Sequence, residues 1–189
     1  MQAMVGPPRA PASGAYAARC TTTFATENAE DQPPAPLPPT ALLFAGQGAQ
    51  TVGMTAALME QQELPAAAAA VAQMYEEAAE TLQYDLKAIV LEGPTAVLDQ
   101  TVHAQPALLI AGLAAVEVLR AHATRGGGGG GGGSALSRCG AVAGLSLGEY
   151  CALVHAGALS FADAVKVVHA RAAAMQRAGE AAQGVSSVQ

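Results

Sequence analysis

Ser146 is surrounded by the residue types that a serine nucleophile requires. It lies in the G-x-S-x-G pentapeptide Gly144-Leu145-Ser146-Leu147-Gly148, after a short apolar run over residues 139–143 and before a helix-like segment from Glu149. In this pattern a strand turns sharply into a helix, and the flanking glycines leave room for the turn. The serine hydroxyl then lies near the unpaired N–H groups of the helix N-terminus. The pattern predicts a strand-turn-helix nucleophile at Ser146.

A second interpretation of the same residues involves no chemistry. Ser146 followed by Glu149 is also S-x-x-E, the capping-box pattern at the start of a helix. The chain contains 21 glycines, so a chance G-x-S-x-G pentapeptide is not rare. The pentapeptide alone leaves both interpretations open.

The segment Gly46-Gln47-Gly48 is a candidate second part of such a site. It follows an apolar run over residues 41–45, which predicts a strand buried on both faces. In a nucleophile elbow one oxyanion donor is the N–H after the serine, here that of Leu147, and another comes from a loop after a neighbouring strand. A tight strand-to-helix turn without a binding role explains this loop equally well.

Arg171 shares one face of a predicted helix, over residues 161–178, with the apolar side chains of Val168 and Met175. A guanidinium that points inward needs an anion, and its planar fork suits a carboxylate. Alternatively, its stem covers apolar surface while its charged head reaches water. Taken alone, the pattern slightly favours this alternative.

No histidine is well placed to be the general base for Ser146. His155 follows the serine by nine residues, which on one helix means more than about 12 Å. The other three histidines are predicted at a helix end, in a loop or on another helix; they are His103, His122 and His169. We therefore expect the base to be absent from this chain.

The elements that must position these residues give an α/β pattern, rich in helices with two parallel strands. A short helix is predicted within residues 51–59, and longer ones over residues 66–84, 85–91, 105–122, 149–156 and 161–178. Pro106 is expected in the first turn of its helix, and Gly179 is expected to end the last one. A new strand is expected to begin at Gly184.

Two segments differ in composition from this domain, which we place at residues 40–189. Residues 1–39 are rich in alanine, proline and threonine, with Arg9 and Arg19 and no acidic residue before Glu27, as in an organellar transit peptide; a disordered tail is the alternative. The eight glycines of residues 126–133 predict a flexible surface loop, inserted in the domain.

Charge and cysteine content exclude several classes of partner. The net charge of −6 argues against binding to nucleic acid. The three cysteines lack the spacing of metal ligands, so no metal site is expected. We also expect no apolar run to approach the roughly 20 residues that a membrane-spanning helix needs, and therefore no insertion into a membrane.

Together these motifs resemble the malonyl-CoA:acyl-carrier-protein transacylases of type II fatty acid synthesis, most of all the organellar enzymes of plants and algae. The resemblance covers about residues 41–189. Its matching blocks are residues 42–54, 84–86, 101–109, 144–150 and 156–164, followed by Arg171, Met175 and Gln176.

The resemblance implies a role for each matching site residue. Ser146 would accept the acyl group, and the backbone N–H groups of Gln47 and Leu147 would form the oxyanion hole. Arg171 would pair with the free carboxylate of the malonyl group. The substrates would be malonyl-CoA and the phosphopantetheine thiol of acyl carrier protein, with no cofactor, and the enzyme would be a monomer. The chloroplast stroma is the implied location, with the mitochondrial matrix as the alternative.

The chain departs from the family pattern in two respects. Leu145 stands where many members have histidine. The family's catalytic histidine and most of its ferredoxin-like subdomain would lie beyond Gln189. We therefore expect a partial acyltransferase fold with an α/β-hydrolase-like core and poor activity alone. Two alternatives remain: a non-catalytic fragment that binds acyl carrier protein or CoA, and a serine esterase, against which an inward Arg171 argues.

Overall fold

A computed structural model describes residues 40–125, 136 and 138–186. In these ranges the chain forms two strands and seven helices. They are, in chain order, β1 (Thr40–Phe44), α1 (Ala56–Met59), α2 (Pro65–Leu82), α3 (Leu86–Glu92), α4 (Thr95–Leu98), α5 (Thr101–Arg125), β2 (Cys139–Gly144), α6 (Gly148–His155) and α7 (Phe161–Ser186). The predicted leader over residues 1–39 and the glycine run over residues 126–133 lie outside the described residues.

The two strands pair in parallel, as the sequence predicts. Phe44 lies opposite Gly144, and the Leu145 N–H donates to the Phe44 carbonyl at 3.1 Å, so the pairing continues one residue past β2. The expectation that β1 is buried on both faces is wrong. Leu43 is 80% exposed, whereas the next side chain, Phe44, is buried, because in the described residues helices cover only one face of this sheet.

Helix α5 is the centre of the core and packs against α2, α6 and α7. By length and composition it could cross a membrane, since an 18-residue window has a mean hydropathy of 1.6, although 56% of that window is buried inside the protein. The expectation that no apolar run is long enough to span a bilayer is therefore wrong for this segment. Its buried side chains pack against the neighbouring helices.

The predicted start of α5 at Gln105-Pro106 is wrong, because the helix begins at Thr101 and Pro106 lies inside it. Proline has no N–H, so the carbonyl of Val102, four residues earlier, loses its helical donor. The Tyr84 hydroxyl donates to this carbonyl oxygen at 3.0 Å. A side chain from outside the helix thus replaces the missing hydrogen bond. Burial raises the pKa of Tyr84 to about 12, so its hydroxyl keeps the donated proton at neutral pH.

Helix α7 is longer than predicted. It continues through Gly179 to Ser186, so the expected stop at Gly179 and the expected strand from Gly184 are both wrong within the described residues. An interior glycine costs a helix only about 1 kcal/mol relative to alanine, so a single glycine is not enough to end α7. The short helix α4 was not predicted.

Candidate active site

The backbone at Ser146 has the conformation of a nucleophile elbow. Its φ is +54°, a left-handed value that is uncommon and strained for a residue with a Cβ. The two glycines of the pentapeptide are required by close contacts. A Cβ on Gly144 would lie 1.9 Å from the carbonyl carbon of Gly148, and one on Gly148 would lie 2.3 Å from the Phe44 carbonyl oxygen. Strand β2 therefore turns directly into α6 at this point.

The Ser146 side chain does not cap the helix. Helix α6 begins at Gly148 with Leu147 at its N-cap position, and no side chain accepts a hydrogen bond there. The Ser146 hydroxyl instead accepts a hydrogen bond from Arg171 Nη2, at 2.7 Å. The capping-box interpretation is therefore wrong for the serine hydroxyl, which faces a cation.

Arg171 points towards the elbow rather than into bulk water. Besides its bond to Ser146, its Nη1 donates to Gln105 Oε1 at 2.5 Å, and its guanidinium carbon lies 5.8 Å from the centre of the Tyr150 ring. No aspartate or glutamate in the described ranges forms an ion pair with Arg171. Its charge is thus available to an anion from outside the protein.

A chain of side-chain amides leads away from Arg171. Gln105 is fully buried, and its Nε2 donates to Gln47 Oε1 at 3.1 Å and to Met175 Sδ at 3.4 Å. Gln47 Nε2 in turn donates to Thr101 Oγ1 at 3.2 Å. Gln105 was predicted only as part of a helix start. A glutamine within a long apolar helix was the signal of a further role.

The two predicted oxyanion donors border the elbow. Gly46, next to Gln47, approaches the elbow so closely that a Cβ there would lie 2.8 Å from the Leu145 carbonyl oxygen. Neither the Gln47 N–H nor the Leu147 N–H finds an acceptor within the part of the chain that the structure describes. Two unused backbone donors near a serine hydroxyl can stabilise developing negative charge.

All four histidines lie in the described residues, and none hydrogen-bonds to Ser146 there. The His155 ring packs 6.3 Å from the Phe44 ring. Its Nδ1 is buried without a hydrogen-bond partner in this part of the chain, and burial lowers its pKa. The other three lie elsewhere: His103 Nδ1 contacts the Val97 carbonyl oxygen, the His169 ring packs near Tyr84, and His122 is exposed near the end of α5.

These groups can bind and hold an acyl group that carries a negative charge. Ser146 offers an exposed hydroxyl, Gln47 and Leu147 offer N–H groups, and Arg171 offers a cation in contact with the hydroxyl. Among the described residues, none that hydrogen-bonds to the Ser146 hydroxyl can take up the proton that it must lose.

Comparison with known proteins reveals similarity over most of the chain. A family model described as "Acyl transferase domain" matches residues 41–189. The mouse protein named malonyl-CoA-acyl carrier protein transacylase, mitochondrial, is 46% identical over 140 residues, which is 74% of this chain and 32% of that protein.

Solved structures agree with this similarity. An acyl carrier protein S-malonyltransferase from Vibrio cholerae is 41% identical, with a TM-score of 0.56, over 75% of this chain and 40% of that chain. A malonyl-transacylase in complex with a type II PKS acyl-carrier protein is 38% identical, with a TM-score of 0.56, over 75% of this chain and 40% of that chain. The chain thus spans about a third of the curated mouse relative and 40% of these solved chains.

Proposed function

The chain belongs to the acyl transferase domain family, and we propose that it carries the acyl-accepting part of a malonyl-CoA:acyl-carrier-protein transacylase. The names of the similar proteins from mouse and Vibrio cholerae support this choice of acyl group. The complex solved for a related malonyl-transacylase supports acyl carrier protein as the second substrate.

The observation that carries the proposal is the 2.7 Å contact between Arg171 Nη2 and Ser146 Oγ. In a malonyl ester of Ser146, only the carbonyl carbon and one methylene separate the serine oxygen from the free carboxylate carbon. A guanidinium that already touches the oxygen can therefore reach this carboxylate with a small movement. Acetyl lacks the carboxylate and leaves the cation without an anion, so the arrangement favours malonyl.

The proposed reaction has two transfers. Ser146 Oγ attacks the thioester carbonyl of malonyl-CoA, and the N–H groups of Gln47 and Leu147 stabilise the resulting oxyanion. The C–S bond then breaks, the CoA thiolate leaves and takes up a proton, and malonyl stays as an ester on Ser146. In the second transfer the phosphopantetheine thiol attacks this ester, the C–O bond breaks, and Ser146 Oγ regains a proton.

The serine proton must move to a base in the first transfer. Because no histidine in the described ranges hydrogen-bonds to Ser146, we expect the 189-residue chain to transfer malonyl slowly. The same observation favours a second candidate function, in which the chain binds CoA or acyl carrier protein without catalysis. A serine esterase is less well supported, since an ester pocket does not require a cation at the nucleophile.

A labelling experiment with the purified chain distinguishes these functions. The chain is mixed with malonyl-CoA or acetyl-CoA, with imidazole added as an external base, and the labelled peptide is identified by mass spectrometry. We expect malonyl on Ser146, no label in Ser146→Ala, and removal of the label by phosphopantetheinylated acyl carrier protein. Without imidazole the labelling should be slow.

Three outcomes would contradict the proposal or part of it. Equal labelling by malonyl-CoA and acetyl-CoA would exclude selection by Arg171. Binding of CoA with no label at Ser146 would support the non-catalytic function. Transfer without imidazole at the rate of a complete enzyme would refute the expected lack of a base.

We also propose an organellar location, a monomeric state and an acyltransferase fold whose core resembles that of α/β-hydrolases. The mitochondrial designation of the mouse relative supports the mitochondrial matrix over the chloroplast stroma. Residues 1–39 fused to a fluorescent protein test this location: import into plastids alone would contradict it. Size-exclusion chromatography with light scattering tests the monomer.

A further inference from the structure

Gln105 is buried, and both the oxygen and the nitrogen of its side-chain amide form hydrogen bonds. Its Oε1 accepts from Arg171 Nη1 at 2.5 Å, and its Nε2 donates to Gln47 Oε1 and to Met175 Sδ. A buried amide is stable only when these groups find partners. Here the partners come from the loop after β1 and from α7, so one side chain joins the two proposed recognition elements.

The direction of the whole chain of hydrogen bonds is set by Arg171. A guanidinium has donors only, so the Gln105 oxygen must face it and the Gln105 nitrogen must face away. That nitrogen requires an acceptor, which is Gln47 Oε1, and Gln47 Nε2 is then left to donate to Thr101 Oγ1. The positions of the oxygen and the nitrogen in both side-chain amides thus follow from the charge of Arg171.

Gln105 is held on a well-supported part of α5. Tyr84 donates to Val102 on one side of the helix, and the Val102 N–H donates to Gln176 Oε1, at 3.1 Å, which ties α5 to α7. Because a guanidinium is planar, fixing Nη1 restricts the direction of Nη2. The bond from Gln105 therefore helps to direct Nη2 towards Ser146.

We propose that Gln105 is a positioning residue that directs the Arg171 guanidinium towards the acyl group on Ser146 and thereby enforces selection of malonyl over acetyl. This inference rests on the proposed function. It assigns the selectivity of the site to a buried amide whose hydrogen-bond partners in the described residues do not include Ser146. Without Gln105, Arg171 can rotate towards solvent, and its contact with a carboxylate loses the benefit of preorganisation.

The test combines two measurements on the 189-residue chain. The first is NMR of the arginine side-chain N–H groups, with the Arg171 signals assigned from Arg171→Lys. We expect separate Nη signals in the wild type, because rotation is hindered, and averaged signals in Gln105→Leu. The second is the ratio of malonyl to acetyl labelling at Ser146 with imidazole present. We expect this ratio to fall about tenfold in Gln105→Leu, as for loss of one charged hydrogen bond.

Two further variants make the result specific. Gln105→Glu keeps the shape but puts a carboxylate on Arg171, which should reduce malonyl labelling by competing with the substrate. Gln61→Leu is the matched control, since the Gln61 side chain donates to the Ala57 carbonyl oxygen on its own exposed turn, and should change neither measurement. If Gln105→Leu does not fold, Gln105→Asn, which keeps the amide but shortens its reach, should give the same loss of ratio.

Either of two results would overturn the positioning role. One is separate Nη signals in Gln105→Leu. The other is a labelling ratio in a folded Gln105 variant that equals the wild-type ratio. Failure of the proposed function looks different. In that case the wild type itself would show no malonyl preference, while the NMR comparison would still report whether Gln105 fixes Arg171.

Discussion

Arg171 donates to the Ser146 hydroxyl across 25 residues of sequence, at 2.7 Å. The contact joins the middle of α7 to the turn between β2 and α6. A cation at this distance would stabilise negative charge on a group attached to the serine, because little solvent separates them. The contact makes Arg171 the first residue to change in a test of selectivity.

Arg171→Ala should lower the malonyl to acetyl labelling ratio by about ten- to a hundredfold, since a charged hydrogen-bonded contact with the carboxylate is lost. Arg171→Lys should recover only part of the ratio, because an ammonium cannot hold a carboxylate through two parallel bonds. Arg120→Ala is the control, as Arg120 pairs with Glu117 on the surface. An unchanged ratio in Arg171→Ala would exclude the carboxylate role.

Gly144→Ala should destabilise the fold by more than about 3 kcal/mol, because the new methyl group meets backbone atoms that cannot move aside. A Cβ there would lie 1.9 Å from the Gly148 carbonyl carbon. Gly140 is the matched control on the same strand, since a Cβ there meets nothing within 4 Å. Urea unfolding measures both variants; similar free energies of unfolding for the two would refute this account of the elbow.

Tyr84→Phe should lower the free energy of unfolding by about 1–3 kcal/mol, because the Val102 carbonyl loses its donor. The cost should shrink in a Pro106→Ala background, where the alanine that replaces the proline can supply the helical N–H. A double-mutant cycle from urea unfolding measures this difference. Equal costs of Tyr84→Phe in both backgrounds would show that the hydroxyl does not compensate for the proline.

His155 should make the protein less stable below about pH 6.5, the ordinary pKa of histidine. Burial lowers its pKa in the folded state, so between the two pKa values the unfolded chain binds more protons than the folded one. Stability therefore falls as the pH falls through the unfolded-state value. His155→Gln should flatten the pH dependence of urea unfolding, and an unchanged dependence in this variant would contradict the role of the buried ring.

The sequence predicted what depends on short-range spacing. The Gly144–Gly148 pentapeptide and the two apolar runs were enough to predict the parallel strands and the turn at Ser146, since the glycine spacing reflects a local steric need. The two directions left open for Arg171 were distinguished only by the structure, because Ser146 and Gln105 lie far from it in sequence.

Boundaries that depend on distant partners could not be predicted. The local sequence at Pro106 predicts a helix start, but α5 begins at Thr101. The Tyr84 hydroxyl, from another segment, supplies the hydrogen bond that the proline cannot make. Similarly, the local sequence predicts that a helix ends at Gly179, yet α7 continues through this residue. The buried position of Gln105 depends on partners from two other elements, which no spacing within α5 indicates.

At position 146, activity and stability favour different residues, because the backbone there is left-handed. Glycine adopts a φ of +54° without the strain that a Cβ brings, so Ser146→Gly should fold more stably and lose the nucleophile. A lineage that no longer needed acyl transfer would be expected to drift towards glycine or asparagine at this residue. Serine at position 146 therefore carries a conformational cost that glycine would avoid.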